Sequence, residues 1–277
     1  MALEYTQHHP VAADGLQLFA HRWAPSRQEA LAELLVVHGY MEHGGRYQEM
    51  AHALAEHGIV TTAIDYRGHG RAQGRRGHVD EFYDYYFDLD AGLALLGSEL
   101  PKFVLGHSLG GLLTLDYVHA KHPLPIRGAI VTNPFLEVAF PVAGLKAWAG
   151  RQLAKFAPAF QMPSGLDPGG LSHEPAVAVD YVADPLVFDK IRVGWFQETS
   201  EAQERVKSIR VLPCPFLYIY SNADPIAAPA ASQDFVDQVQ CEDLKELIRD
   251  GEYHEVLNET NRETLFDTIA EWIVAHR

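Results

Sequence analysis

Short apolar runs alternate along this chain with segments in which apolar residues recur at helical spacing. The runs Leu34–Val37 and Phe103–Leu105 predict buried strands, because parallel strands covered on both faces are apolar without interruption. Between them, Arg46–His57 and Phe82–Leu100 predict helices, and Pro101 ends the second. Strands that alternate with helices predict an α/β fold with a mostly parallel, doubly wound sheet.

The alternation stops between Pro134 and about Arg210 and then resumes. This stretch is rich in proline, glycine and isolated aromatic residues. We therefore expect residues 1–133 and 211–277 to form one α/β core, and residues 134–210 to form an inserted helical cap. The remaining elements predicted for the core are strands over 4–9, 16–23, 59–64, 129–131, 216–220 and 244–248, and helices over 109–120, 229–239 and 260–275.

Composition excludes several classes of protein. With 277 residues and 47% hydrophobic side chains, the chain can bury one large core. The net charge of −15 argues against a nucleic-acid partner, because an acidic surface repels phosphate backbones. The start of the chain lacks a basic and apolar leader, and only two cysteines are present, so we expect a cytoplasmic protein with free thiols.

A nucleophile motif lies between a predicted strand and a predicted helix. Gly106-His-Ser-Leu-Gly110 fits G-x-S-x-G and stands in the strand–turn–helix context that a nucleophile elbow requires. Small flanking residues let the strand and the helix approach closely around a strained serine. We therefore expect Ser108 to be a catalytic nucleophile.

A serine hydroxyl needs a histidine base that is held by an acid, and the elbow fold places them in the order Ser, Asp/Glu, His. His254 lies in a loop between the last predicted strand and the last predicted helix, where the base is expected. Asp224 directly follows the strand over 216–220 and is the preferred acid, with Glu252 and Glu255 as alternatives. The other histidines after the serine fit less well, either at a helix end, inside the insertion or at the chain terminus: His119, His122, His173 and His276.

Two main-chain N–H groups are needed to stabilise an oxyanion. We expect them from Leu109, the residue after the serine, and from Tyr40, in the loop after the strand that ends before His38-Gly39. The sequence predicts no metal site and no cofactor. The stretch Gly68–Gly74 has the wrong glycine spacing for a dinucleotide, and the histidine pairs at 8–9 and 119/122 lack further ligands.

Three motifs together resemble the monoacylglycerol lipase and lysophospholipase branch of the α/β-hydrolases. They are His38-Gly-Tyr-Met-Glu-His-Gly-Gly-Arg-Tyr47, Asp65-Tyr-Arg-Gly-His-Gly70 and Gly106-His-Ser-Leu-Gly-Gly111. The contexts of Asp184-Pro-Leu186, Asp224 and His254 are also similar, and the likeness runs from about residue 10 to the C-terminus.

The resemblance implies an α/β-hydrolase fold with a cap over the active site, and a triad of Ser108, Asp224 and His254. It also implies that Glu42 and Arg46 shape the polar end of the substrate pocket, although Glu42 with His43 could instead brace the loop of Tyr40. Leu257 departs from those monoacylglycerol lipases that carry a second histidine near the glycerol group.

We therefore expect a serine ester hydrolase that acts on monoacylglycerols or similar single-chain lipids through an acyl-enzyme. The alternatives are a lysophospholipase, a small-ester carboxylesterase, or a catalytically dead hydrolase fold that only binds. An apolar stripe over 141–156 predicts a cap helix. Most of this stripe is expected to pack on the core and line the acyl pocket, and we also expect weak peripheral contact of the cap with a membrane.

Overall fold

The computed structural model describes residues 3–25, 30–97, 99–139 and 156–277. An eight-stranded sheet lies at its centre, with strand order β1-β2-β4-β3-β5-β6-β9-β10. β1 and β2 run antiparallel to their neighbours, and the six strands from β4 to β10 are parallel. The strands are β1 (Leu3–His8), β2 (Phe19–Pro25), β3 (Ala32–Val37), β4 (Ile59–Asp65), β5 (Lys102–His107), β6 (Gly128–Thr132), β7 (Gln161–Pro163), β8 (Lys190–Arg192), β9 (Phe216–Ser221) and β10 (Leu244–Arg249), of which β7 and β8 pair separately.

Helices cover both faces of the sheet. They are α1 (Gln48–Glu56), α2 (Asp84–Ala94), α3 (Leu109–Ala120), α4 (Pro175–Ala183), α5 (Val193–Lys207), α6 (Pro229–Gln238) and α7 (Arg262–Ala275). One buried cluster joins a face of the sheet to α1 and α7, and the other joins the opposite face to α2, α3, α5 and α6. In β3, Leu34 and Val36 belong to the first cluster, while Leu35 and Val37 belong to the second. Burial on both faces explains why this strand is apolar throughout.

The predicted α/β-hydrolase fold class is confirmed, and most predicted elements agree with the observed ones to within about two residues. The exceptions are β2, which we expected over 16–23 but which begins at Phe19, and α2, which we expected over 82–100 but which ends at Ala94. Leu95 and Leu96 continue only as turn residues before Gly97, although their apolar side chains extend the helical pattern in the sequence. Glycine disfavours continuation of the helix.

The segment between β6 and β9 contains β7, α4, β8 and α5, and residues 140–155 lie outside the described part. α5 packs against α3, and its Ala202 and Val206 belong to the buried cluster on that face of the sheet. Arg205 of α5 also pairs with Asp116 of α3 at 2.8 Å. The division into a core and a cap at residues 134 and 210 stays a prediction. None of the helices in the described residues has the length and apolarity required to cross a bilayer.

Candidate active site

Ser108 lies in the sharp turn between β5 and α3, at φ 53° and ψ −116°. Glycines allow the backbone to pack around this turn. A Cβ on Gly110 would lie 2.0 Å from the carbonyl oxygen of Val37, and a Cβ on Gly106 would lie 2.2 Å from that of Gly110. Both contacts are with main-chain atoms, so a side chain at either position forces the strand and the helix apart. This is the close approach that the G-x-S-x-G pattern predicts.

The structure brings Ser108, His254 and Asp224 together from three separate loops. His254 Nε2 lies 2.8 Å from Ser108 Oγ, and His254 Nδ1 lies 2.7 Å from Asp224 Oδ2. The second oxygen of Asp224 accepts the main-chain N–H groups of Ile226 and Ala227 at 2.7 and 3.0 Å. All three side chains are buried. The aspartate is therefore fixed in position, and it orients the imidazole toward the serine.

Neither glutamate considered as an alternative acid contacts the imidazole through a hydrogen bond in the described residues. Glu252 accepts from the guanidinium of Arg249 at 2.9 Å. Glu255 accepts two hydrogen bonds from Arg46, at 2.7 and 2.8 Å. Asp224 is the carboxylate that lies against His254.

Burial and neighbouring charges act in opposite directions on His254. Burial disfavours the imidazolium, but the carboxylate of Asp224 and the nearby Glu255 and Glu42 favour it, so the pKa of His254 is raised above 6.5. In the part of the chain that the structure describes, no carboxylate forms a hydrogen bond with its neighbour His107, which contacts Thr132 instead. Burial and the proximity of His254 lower the pKa of His107 to about 4, so that ring is neutral near pH 7.

Asn133, which sequence reasoning missed, joins the loops of the site. It follows β6 with a positive φ of 42°. Its side-chain oxygen accepts the N–H of Ser221 at 2.7 Å, and its amide donates to the main-chain carbonyl of Tyr253 at 3.2 Å. The one available indication in the sequence is an asparagine directly after a buried strand, since asparagine tolerates the left-handed conformation.

The two predicted oxyanion residues flank the serine. A Cβ on Gly39, next to Tyr40, would lie 3.3 Å from the Cβ of Ser108, so the two loops are in contact. Among the described residues, the main-chain N–H groups of Tyr40 and Leu109 have no protein acceptor. The Tyr40 ring stacks on Trp195 at a centroid distance of 3.6 Å, and its hydroxyl donates to the carbonyl of Gly77 at 2.8 Å. These side-chain contacts hold the loop in place and leave the main-chain N–H of Tyr40 available.

Glu42 and Arg46 form a buried ionic cluster with Glu255 beside the serine. Arg46 Nη1 lies 2.7 Å from Glu42 Oε2, and the same guanidinium binds both oxygens of Glu255. Burial acts to raise the pKa of Glu42, but Arg46, His107 and the hydrogen bonds from Gly39 and Tyr47 together outweigh burial, so the pKa lies below its usual value. Glu42 also accepts the N–H of Gly39 at 2.5 Å and the hydroxyl of Tyr47 at 2.8 Å. The bracing alternative for Glu42 is thus compatible with a position in the pocket wall.

A mainly apolar cavity of about 490 Å³ opens onto Ser108 and His254. Glu42 and Glu255 line its polar end. The chain between β6 and the end of α5 supplies much of the apolar wall, which includes Phe135, Val138, Met162, Leu166, Leu171, Tyr181, Ile191, Val193, Trp195 and Phe196. The cavity has the size and character of a site for a lipid-like molecule.

Comparisons with known proteins agree with this geometry. The family model described as serine aminopeptidase, S33, matches residues 28–261. An uncharacterized abhydrolase domain-containing protein of Dictyostelium discoideum is 34% identical over 95% of this chain, which spans only 28% of that protein. The monoglyceride lipase of Mus musculus is 30% identical over 97% of this chain and 90% of its own length.

A solved structure gives the same result. The crystal structure of a monoacylglycerol lipase from Paleococcus ferrophilus aligns over 100% of both chains, with a TM-score of 0.82 and 27% identity. The resemblance to monoacylglycerol lipases is therefore confirmed. The chain belongs to the family of hydrolases described as serine aminopeptidase, S33.

Proposed function

We propose that the protein is a carboxylic ester hydrolase that cleaves monoacylglycerols or closely related single-chain lipid esters. The observation that carries this proposal is a Ser–His–Asp arrangement at the base of a mainly apolar cavity with one polar, ionic end. An acyl chain would fill the apolar part, and a small polar leaving alcohol would face Glu42 and Glu255. The cavity and the lipases among the relatives support the same substrate class.

The proposed reaction proceeds through an acyl-enzyme. Ser108 Oγ attacks the ester carbonyl while His254 Nε2, at 2.8 Å, takes the hydroxyl proton. The main-chain N–H groups of Tyr40 and Leu109 stabilise the negative charge on the carbonyl oxygen. His254 then donates the proton to the leaving alcohol, and Asp224 stabilises the imidazolium. Water completes hydrolysis with His254 again as the base. No cofactor takes part in any of these steps.

A hydrolysis panel tests this assignment. Long-chain monoacylglycerol, a lysophospholipid of the same chain length and short p-nitrophenyl esters should be compared with wild-type protein and Ser108→Ala. We expect the highest kcat/KM on monoacylglycerol and no turnover by Ser108→Ala. A preference for the lysophospholipid or for the shortest esters would instead favour a lysophospholipase or a small-ester carboxylesterase.

A non-enzymatic binding role is distinguished by covalent labelling. A fluorophosphonate reacts with an activated serine, so wild-type protein should be labelled, and Ser108→Ala and His254→Ala should not. Failure to label the wild-type protein would mean that the fold only binds its ligand.

The proposed cap, residues 134–210, includes the described stretch from Phe156 to the start of α5, and β7 and later residues of this stretch line the cavity. Four apolar side chains on this part are exposed: Phe156 by 85%, Phe160 by 51%, Val179 by 66% and Val182 by 71%. We expect this surface to make weak, reversible contact with a lipid surface, because the net charge of −15 provides no long-range attraction to anionic lipid. The predicted helix over 141–156 lies, except for Phe156, outside the described residues. The cytoplasmic location also stays a prediction.

The membrane contact is tested by substitution of Val179 and Val182 by serine together. Hydrolysis of dispersed long-chain substrate should fall more than hydrolysis of a soluble short-chain ester. Val211→Ser is the matched control. Val211 is 55% exposed and precedes β9, whereas Asp224 follows the opposite end of this strand, so Val211 lies away from the active site. Equal loss on both substrates would indicate a defect of folding or of the pocket, and the contact would have to be abandoned.

A further inference from the structure

Three buried side chains that could bind a metal ion lie together outside the cavity. His21 is on β2, His43 is in the loop before α1, and Asp65 is the last residue of β4. One ligand atom of each lies within 4.8 Å of the ligand atoms of the other two. The exposed fractions of the three residues are 6%, 7% and 0%. The proposed ester hydrolysis uses none of these side chains.

His21 has a ring nitrogen without a partner. Its Nδ1 lies 2.8 Å from the hydroxyl of Tyr5, whereas its buried Nε2 has no hydrogen-bond partner among the described residues. When Nδ1 donates its proton to the hydroxyl of Tyr5, Nε2 keeps its lone pair. A buried polar atom without a partner is costly, and a bound cation would satisfy it.

His43 and Asp65 complete a ligand set that other groups already orient. His43 Nε2 lies 2.8 Å from Asp184 Oδ2, and His43 Nδ1 accepts the main-chain N–H of Gly45 at 3.1 Å. A metal ion on Nδ1 would replace this long hydrogen bond, because a ring nitrogen has one lone pair. The oxygens of Asp65 accept main-chain N–H groups at 2.7 and 2.9 Å, and each keeps a further lone pair.

We propose that His21, His43 and Asp65 form a binding site for a divalent transition-metal ion of the zinc type. Two imidazoles and one carboxylate suit Zn²⁺, whereas Ca²⁺ and Mg²⁺ prefer oxygen ligands alone. Histidine ligands in such sites usually donate their other ring N–H to an oxygen, as His43 can to Asp184 and His21 to Tyr5. Water would occupy the fourth position. The ion would tie β2 and β4 to the loop before α1.

This site departs from the expectation that the chain binds no metal. That expectation considered histidines close together in sequence, at 8–9 and 119/122. The three residues of the proposed site are far apart in sequence and meet because β2 pairs with β4 and Gly44 bonds to Asp65.

Titration of untagged, chelator-treated full-length protein with Zn²⁺ and with Co²⁺ tests the proposal. We expect one equivalent of Zn²⁺ to bind, a Tm that rises with Zn²⁺ concentration, and visible ligand-field absorption of four-coordinate Co²⁺. His21→Gln should abolish all three effects. Asp184→Asn and Tyr5→Phe should weaken binding by about 10–100-fold, because they alter groups that orient the ligands.

One further variant separates this site from other sources of metal binding. Joint substitution of His8 and His9 by glutamine should leave Zn²⁺ binding unchanged. His21 is substituted rather than Asp65, because Asp65 accepts main-chain N–H groups and its loss could also disturb the fold. Circular dichroism checks that His21→Gln is folded.

The proposal is overturned if chelator-treated wild-type protein binds no Zn²⁺. It is also overturned if folded His21→Gln binds Zn²⁺ as tightly as wild type. Both readouts are independent of ester hydrolysis.

Discussion

The backbone at Ser108 is strained, and the strain can be measured by substitution. A non-glycine residue at φ 53° and ψ −116° costs about 1–3 kcal/mol, which glycine avoids. Ser108→Ala and Ser108→Gly both lose the hydrogen bond to His254 and should both be inactive. Only Ser108→Gly also releases the strain.

To measure the strain energy, the other effects of an alanine-to-glycine change must be known from an unstrained position. Ala51 is fully buried in the unstrained helix α1. Ala51→Gly should cost about 1–2 kcal/mol, from backbone entropy and the loss of a buried methyl group. Replacing alanine by glycine at position 108, that is, comparing Ser108→Ala with Ser108→Gly, has the same costs. It also removes the backbone strain, which stabilises the glycine variant. The two differences should therefore differ by about 1–3 kcal/mol, in favour of glycine at position 108.

Urea unfolding followed by tryptophan fluorescence gives the free energies of unfolding of all three variants and the wild type. Glycine at position 108 should be as stable as alanine or more stable, while Ala51→Gly is clearly destabilised. If glycine costs as much at 108 as at 51, the turn is not strained and the reasoning is refuted.

Three further predictions follow from the geometry of the site. Asp224→Asn should lower kcat on a p-nitrophenyl ester by up to about 10⁴-fold, because the imidazole loses its preferred tautomer; full activity would identify another acid. Since neutral His254 is the base and its pKa is raised, kcat/KM should increase with pH and reach half its maximum above pH 6.5. Glu255→Gln should move this midpoint to lower pH, and a profile that is flat from about pH 5 to 8 would contradict a histidine base. Gly110→Ala should prevent folding, because its methyl group would lie 2.0 Å from a main-chain oxygen. Gly97→Ala is the control: its methyl group would lie 3.3 Å from the end of the Glu33 side chain, so this variant should keep the wild-type yield and Tm.

Local patterns were enough to predict the elements that carry the proposed triad. The strands before Ser108 and Asp224 are apolar because they are buried on both faces, and α3 begins directly after the serine. In a parallel sheet the loops after neighbouring strands share one edge. The order of Ser, Asp and His along the chain therefore predicted which side chains meet, and they are within hydrogen-bond distance.

Contacts between distant parts of the chain could not be predicted in the same way. Neither side chain of the Arg46–Glu255 pair has a local feature that reveals the other. Glu255 consequently remained an alternative acid in the sequence, although its partner is a guanidinium. The end of α2 was misplaced for a related reason, because apolar residues after Ala94 pack into the core as turn residues rather than as a helix.

The ionic cluster of Glu42, Arg46 and Glu255 has two roles that we considered as alternatives from the sequence: it shapes the polar end of the pocket, and it braces the loop of Tyr40. Glu42 accepts the N–H of Gly39, which precedes the proposed oxyanion donor Tyr40, and the same carboxylate lines the polar end of the cavity. Arg46 pairs with Glu42 and helps to lower the pKa of that carboxyl, and it also binds Glu255, which follows His254. One buried guanidinium thus connects the loop of the oxyanion donor to the loop of the base. Truncation of Arg46 would leave two buried carboxylates without a counter-charge, which is much more costly than loss of a surface ion pair. Shaping of the pocket and bracing of the loop are therefore inseparable consequences of the same three side chains.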